Sequence, residues 1–248
     1  MLIAGCPNPY STIVMMLSVA VLTACASTSA GRPGVSITST VTAPSHAGIT
    51  STYPPQVTAL PTPRLKGTLS LEEALAQRRS VREFADTPLT LAEVGQLLWA
   101  AQGTTHPAGL RTAPSAGALY PLEVYVVTRE AMYHYESQGH WMSVHIESDV
   151  RPRLYAAALR QEPVLNAPAV IVIAAVYART TARYGGERSP RYIHLEAGHA
   201  AQNVLLQAVA LNLVAVPIGA FEDGKVKQEL ALPSDQQPLY LIPVGHPK

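Results

Sequence analysis

Charge is nearly missing from the first quarter of this 248-residue chain. Before Arg64 the one acidic or basic side chain is Arg32, so almost all of the 18 Lys and Arg and 17 Asp and Glu lie further on. Cysteine is scarce as well. Cys6 and Cys25 both precede the charged region, which can form no internal disulfide and offers no thiol nucleophile or thiolate metal ligand. Redox chemistry there would need a cofactor. A net charge of +1 and a pI near 7.8 supply no long-range field for gathering nucleic acid, which excludes that class of partner. No GxGxxG follows a strand, so a nicotinamide cofactor would not sit on a Rossmann loop. His194 and His199, five residues apart on a helix, point about 140° from one another and lack a thiolate nearby, so no metal site is expected.

What is present divides the chain in two. Residues 13–22, IVMMLSVAVL, are apolar over a length too short to cross a bilayer but sufficient for the core of a secretory signal. Leu22, Thr23, Ala24 and Cys25 follow, resembling the bacterial lipobox, in which the cysteine takes lipid and becomes the new N-terminus. No Lys or Arg precedes the run, a departure from the usual basic start, and a twin-arginine pair is absent. The expectation is a signal peptide over residues 1–24, lipidation at Cys25, export by the general route, and a place in the cell envelope with the lipid as the sole membrane attachment. The alternative is an uncleaved apolar tail with a chance cysteine. Residues 25–65 are rich in Ser, Thr, Pro, Gly and Ala with no apolar period, which predicts a tether extended by Pro44, Pro54, Pro55, Pro61 and Pro63.

Residues 66–248 read as one α+β domain, and the chain's 48% apolar content is enough for a core. Ser70 with Glu73, and Thr90 with Glu93, are capping boxes that open helices through about Gln77 and Ala101. A strand is predicted over 122–128, followed by a hairpin of MYHY and WMSVHI around ESQGH and a helix over about 150–159. AVIVIAAV at 169–176 is apolar on both faces, as a central strand covered by helices should be. Apolar and small residues recur at helical spacing over 193–211, predicting a helix buried on most sides and suited to a subunit interface. Apolar segments at 213–218 and 239–244 complete the domain.

Two constellations could carry chemistry. Arg78, Arg79, Ser80 and Arg82 end the first capped helix, and guanidiniums can grip a phosphate or a flavin carbonyl through paired, charge-assisted hydrogen bonds. The same residues could instead simply complement the helix dipole. Pro114, Ser115, Ala116, Gly117 and Ala118 form a small-residue loop that leads into a strand and would let a planar cofactor approach the backbone, although a plain structural loop would look similar.

RRSVREF, PSAGALYPLEVYVV, RYGGERSPRYIHLEAGHAAQN and VPIGAF occur in the order found in the nitroreductase superfamily, and over residues 66–248 the chain resembles its SagB-type branch, which includes flavin dehydrogenases that oxidise azolines to azoles in peptides. The resemblance implies a nitroreductase-like fold, a central mixed β-sheet flanked by helices, dimeric, with FMN at the subunit interface. It implies that Arg78, Arg79, Ser80 and Arg82 hold the FMN phosphate, ribityl chain and ring edge. Pro114, Ser115, Ala116, Gly117 and Ala118 resemble the loop that reaches the partner's flavin. Pro217, Ile218, Gly219 and Ala220 resemble the strand end beside the isoalloxazine ring. The family often has a basic phosphate contact near its C-terminus, and this chain stops at Lys248 shortly after VGHP.

Arg183 and Tyr184 stand where azole-forming relatives have a Lys-Tyr pair linked to proton removal. A guanidinium stays protonated, so the resemblance leaves Tyr184 as the acid or base and Arg183 to orient or neutralise an anionic group, a departure from standard azoline oxidation. Alternatively the pair caps a loop before the long helix. The resulting expectation is an FMN oxidoreductase of SagB type, homodimeric, moving hydride between flavin and a small or peptidic substrate. The alternatives are an NAD(P)H-dependent nitro, quinone or flavin reductase, disfavoured by export, and a non-catalytic flavin-binding lipoprotein.

Overall fold

The computed structural model describes residues 57–248; the expected signal, the lipidation site at Cys25 and most of the expected tether lie outside that range. Seven strands form one sheet in the order β1-β4-β3-β2-β5-β7-β6, with β1 Val57–Ala59, β2 Leu122–Val127, β3 Met132–Glu136, β4 Trp141–Ile146, β5 Ala169–Val176, β6 Val214–Ala215 and β7 Gln236–Gly245. Every ladder between these strands is antiparallel, and the parallel pairing that makes the sheet mixed is an isolated bridge from Ser80 to Ala215.

The sheet is organised around β5, all eight residues of which are buried. Successive side chains of a strand point to opposite faces, and β5 divides accordingly. Ala169, Ile171, Ile173 and Ala175 join one apolar cluster, whereas Val170, Val172 and Ala174 join another. On the first face lie α2 (Leu91–Gln102), through Leu97 and Leu98, and α5 (Tyr177–Ala210), through Ile193, Ala197, Ala200 and Val204. The second face is covered by Leu154 of α3 (Arg151–Ala157), Val164 of α4 (Glu162–Asn166) and Val226 of α6 (Asp223–Glu229). The result is a sheet with helices on both sides, as a strand with two apolar faces requires.

Both capping boxes form as expected. The Glu73 N–H donates to Ser70 Oγ at 3.1 Å while the Ser70 N–H donates to Glu73 Oε2 at 2.8 Å, which opens α1 (Leu71–Gln77). The Thr90 and Glu93 pair does the same for α2, at 3.2 and 2.7 Å. These reciprocal bonds satisfy N–H groups that have no partner inside a helix. The hairpin β3–β4 and helix α3 also stand where the sequence places them.

Two expectations need correction. The tether was to run through residue 65, but Val57–Ala59 pairs with β4, Leu60 enters the core, and the Arg64 N–H and carbonyl bond the Gln96 side chain at 2.8 and 3.1 Å. A free edge strand offers unpaired backbone groups to any extended segment that reaches it, and no local periodicity announces such a pairing.

The long helix begins sixteen residues before position 193, at Tyr177, directly after β5; this first stretch is polar and largely exposed, with no apolar period to mark it in the sequence. Gly185, at φ 76° and ψ 163°, breaks the helix, and Ser189 Oγ donates to the Gly185 carbonyl at 2.6 Å across the break. Pro190, five residues after this break, lies past the first turn and removes one further backbone donor from the helix. Arg183 and Tyr184 therefore lie on a helix, not in a loop.

Candidate functional site

The basic segment after α1 runs along the end of the sheet. The Arg78 N–H ends α1 on the Ala74 carbonyl at 3.0 Å, the Val81 N–H donates to the Ala215 carbonyl at 3.1 Å, and the Ala85 N–H donates to the His246 carbonyl at 3.0 Å. Phe84 is buried on the second face of the sheet and anchors the segment. Arg79 does not present its guanidinium freely: it donates to the Ala76 and Arg78 carbonyls at 2.9 and 2.8 Å and so caps its own helix. The dipole-complementing alternative thus describes Arg79, while Arg78 and Arg82 carry no ion pair among the described residues.

Arg82 shares a cleft of about 350 Å³ with Arg129, Arg151 and Lys248. Arg151 is held by Asp149 at 2.6 and 2.9 Å, Arg129 is paired with Asp86, and Lys248 reaches Glu83 at 3.6 Å. The bridge from Ser80 to Ala215 brings this segment beside the chain leading to Pro217, Ile218, Gly219 and Ala220. Ile218 is buried and exchanges backbone bonds with Leu241 at 2.8 and 3.0 Å, and Gln161 donates to the Ala220 carbonyl at 2.7 Å. Gly219 and Ala220 are exposed, and their N–H groups make no hydrogen bond among the described residues.

A second cluster forms around the small-residue loop. Ala116–Ala118 is a single 3-10 turn with Gly117 at φ 63°, and the Tyr120 N–H closes the loop on Ser115 Oγ at 2.9 Å. Arg183 and Tyr184 reach this loop from α5. A Cβ on Gly117 would lie 2.8 Å from Tyr184 Oη and 3.1 Å from an Arg183 guanidinium nitrogen, so both side chains approach the loop closely, and the positive φ favours glycine there. The Tyr184 ring stands edge-on to Tyr192 at 4.9 Å, which fixes its direction.

The structure adds residues that the sequence reading passed over. Glu196 is 2% exposed on the inner face of α5, and burial pushes its carboxyl up to about 7, against the opposing pull of hydrogen bonding from Ser115 and Gln102 and of the Arg111 charge. The Gln102 amide lies 3.5 Å away, and Arg111 donates to Gln102 Oε1 at 3.1 Å. A signal was available: Glu196 falls on the stripe Ile193, Ala197, Ala200, where a helix buries its apolar side. No hydrogen bond or ion pair among the described residues joins this cluster to the one at Arg78–Arg82, so a single chain carries the expected site residues as two groups. Of the two histidines weighed as ligands, His194 pairs with the Tyr177 hydroxyl at 2.9 Å and His199 is exposed.

Comparison with known proteins agrees with this architecture. A protein of Methanocaldococcus jannaschii named as a candidate nitroreductase is 45% identical over 183 residues, which is 71% of this chain and 91% of that protein. The crystal structure of a candidate nitroreductase from Ralstonia eutropha superposes with a TM-score of 0.71 at 27% identity, covering 78% of this chain and 90% of that one. The NADPH:FMN oxidoreductase of Vibrio harveyi, solved with NAD+, shares the fold at a TM-score of 0.54 and 23% identity, covering 72% of this chain and 69% of that one. The profile described as the nitroreductase family matches residues 75–246, which span both clusters, and the chain belongs to that family of oxidoreductases.

Proposed function

We propose that the chain is an FMN-dependent oxidoreductase of SagB type that moves hydride between flavin and a small or peptidic organic substrate. The observation that carries this reading is the first cluster. Among the described residues the Arg78 and Arg82 guanidiniums make no ion pair and the amides of Gly219 and Ala220 have no partner, and the Ser80 bridge sets the two segments side by side. That donor set fits a flavin mononucleotide: Arg82, with Lys248 in the same cleft, for the phosphate, and Arg78, Ser80 and the 219–220 amides for the ribityl chain and ring edge. Arg79, committed to its own helix, is left out. Bound FMN supplies a two-electron carrier. The protein's part is to hold it, exclude water and manage the accompanying proton.

For that proton the second cluster offers Tyr184, whose hydroxyl is directed at the Gly117 loop, while Arg183 beside it can neutralise an anionic group but stays protonated. The separation of the clusters within one chain supports a homodimer in which the 114–118 loop completes the partner's site. Light scattering on the flavin-loaded protein should return twice the chain mass; a monomer that still binds FMN tightly would refute a shared site.

A fragment spanning residues 57–248 is expected to purify yellow and to bind FMN on titration. Arg78→Ala should weaken FMN by roughly tenfold or more, as loss of a charge-assisted bond worth about 1.5–3 kcal/mol implies. Arg78→Lys should fall between, keeping charge without the paired donors. Equal affinities for all three proteins would remove Arg78 from the site. A second reading, an NAD(P)H-dependent nitro or quinone reductase, is favoured by the name of the Methanocaldococcus relative. Rapid anaerobic bleaching of the flavin by NADPH would select it.

A further inference from the structure

Glu196, buried on the inner face of α5, is met by groups arranged to donate to it. Arginine is a donor only, and Arg111 donates to Gln102 Oε1 at 3.1 Å. That turns the amide nitrogen of the buried Gln102 toward Glu196 Oε1, 3.5 Å away. Ser115 Oγ accepts the Tyr120 N–H at 2.9 Å, so its single hydroxyl proton is left for the hydrogen bond with Glu196. A carboxylate answers both donors and the Arg111 charge. A protonated carboxyl would instead bring one more O–H into a group whose acceptors are already engaged.

The bond at Ser115 bears on the loop above it. Ser115 holds the turn at its base twice, its carbonyl accepting the Ala118 N–H at 3.1 Å and its hydroxyl the Tyr120 N–H. Tyr120 is fixed in turn, its hydroxyl accepting the Arg111 N–H at 3.3 Å and its carbonyl accepting from Arg179 at 3.1 Å. Gly117 and Ala118 at the tip are exposed, so the order of the turn depends on these bonds at its base. The charge acting on Glu196 from outside α5 is that of Arg111. Beyond Arg111, β2 brings Glu123, engaged by Arg179 of α5 and His134 of β3, and β3 adds Tyr135 and Glu136. On α5 itself the titratable neighbours one turn away are Tyr192 and the exposed His199.

We propose that Glu196 is a positioning residue whose ionised carboxylate, accepting from Ser115, holds the Ser115–Ala118 turn against Tyr184, and that the turn loosens when the carboxyl takes up a proton. Burial pushes this carboxyl up to about 7, which places the change in the neutral range. Ionisation costs the whole fold through desolvation, yet it gives the base of the turn its matched acceptor. The bearing on turnover rests on the flavin reading, in which this loop completes a site and Tyr184 handles the proton; the ordering of the turn does not.

Hydrogen exchange of the purified whole chain, followed by mass spectrometry on peptides covering 113–121 and corrected for the intrinsic pH dependence of exchange, tests this without flavin or substrate. Protection of the turn should rise about fivefold from pH 6 to pH 8, the gain from a neutral to a charge-assisted hydrogen bond, while β5 gains none. Glu196→Gln should show the lower value at both pH values, and Ser115→Ala should also lose the dependence. Protection that ignores pH in the unaltered protein, a rise shared by β5, or a rise that survives in either variant would overturn the proposal. Should Glu196→Gln fail to fold, Ser115→Ala and the unaltered protein still decide it. With flavin bound, kcat should rise over the same range, and that rise should vanish in Glu196→Gln. Because exchange is measured on the chain alone, failure of the flavin reading and failure of this one are told apart.

Discussion

Replacing Tyr184 by Phe lowers turnover by about a hundredfold or more while leaving flavin content and KM close to their original values. The expectation follows from geometry and from chemistry. The Tyr184 ring is positioned by its edge-on contact with Tyr192 at 4.9 Å and by the close approach to Gly117, so removing one oxygen leaves the ring where it was. The hydroxyl is the one group of the pair able to give or take a proton at ordinary pH, because Arg183 remains charged, and a positioned acid or base contributes about 10²–10⁴-fold. The measurement is steady-state kinetics with a donor and acceptor found by anaerobic screening, alongside the flavin-to-protein ratio. Unchanged kcat in Tyr184→Phe would remove Tyr184 from the chemistry, and parallel losses of kcat and flavin would reduce it to a structural support.

Stability should fall as pH rises between about 4.5 and 7, and Glu196 should be the cause. Its carboxyl is pushed by burial from the ordinary 4.5 to about 7 in the folded protein. Between those values the folded state keeps a proton that the unfolded chain releases, so unfolding becomes easier with each step up in pH and the effect is complete above 7. At 1.36 kcal/mol per unit the change amounts to about 3 kcal/mol, a large share of a domain's net stability. Glu196→Gln mimics the protonated form, keeps an acceptor for Gln102 and removes the titration. Denaturant unfolding of both proteins at pH 5 and pH 8 gives the test. The two should be alike at pH 5, and the variant should be the more stable by up to about 3 kcal/mol at pH 8. Curves that run parallel across this range would show that Glu196 does not titrate there.

How much could be read before folding depended on how far each interaction reaches along the chain. Ser70 with Glu73 and Thr90 with Glu93 lie three residues apart, so their helices were legible from local hydrogen-bonding chemistry. The strand 169–176 declares two buried faces by its own composition. Arg78, Ser80, Arg82, the Ser115–Ala118 loop and Arg183 with Tyr184 were legible as motifs, although not the arrangement they take. Arg79 shows the limit: nothing in RRSVREF says which arginine turns back onto its own helix carbonyls.

The sequence alone determined the α+β class, the two capped helices, the central strand and the family to which the chain belongs, because these rest on periodicity, capping and ordered motifs within short stretches. Tertiary structure decided the rest. It gave residues 57–59 a place on the sheet through the open edge of β4, which lies more than eighty residues away. Ser80 was set against Ala215, and Gly117 against Tyr184. Tertiary structure also joined Gln102, Arg111 and Glu196 into one group and buried the Glu196 carboxyl, shifting it upward. Desolvation and close approach depend on which distant segments exclude water from a side chain, and that is a property of the packed molecule that no local pattern encodes.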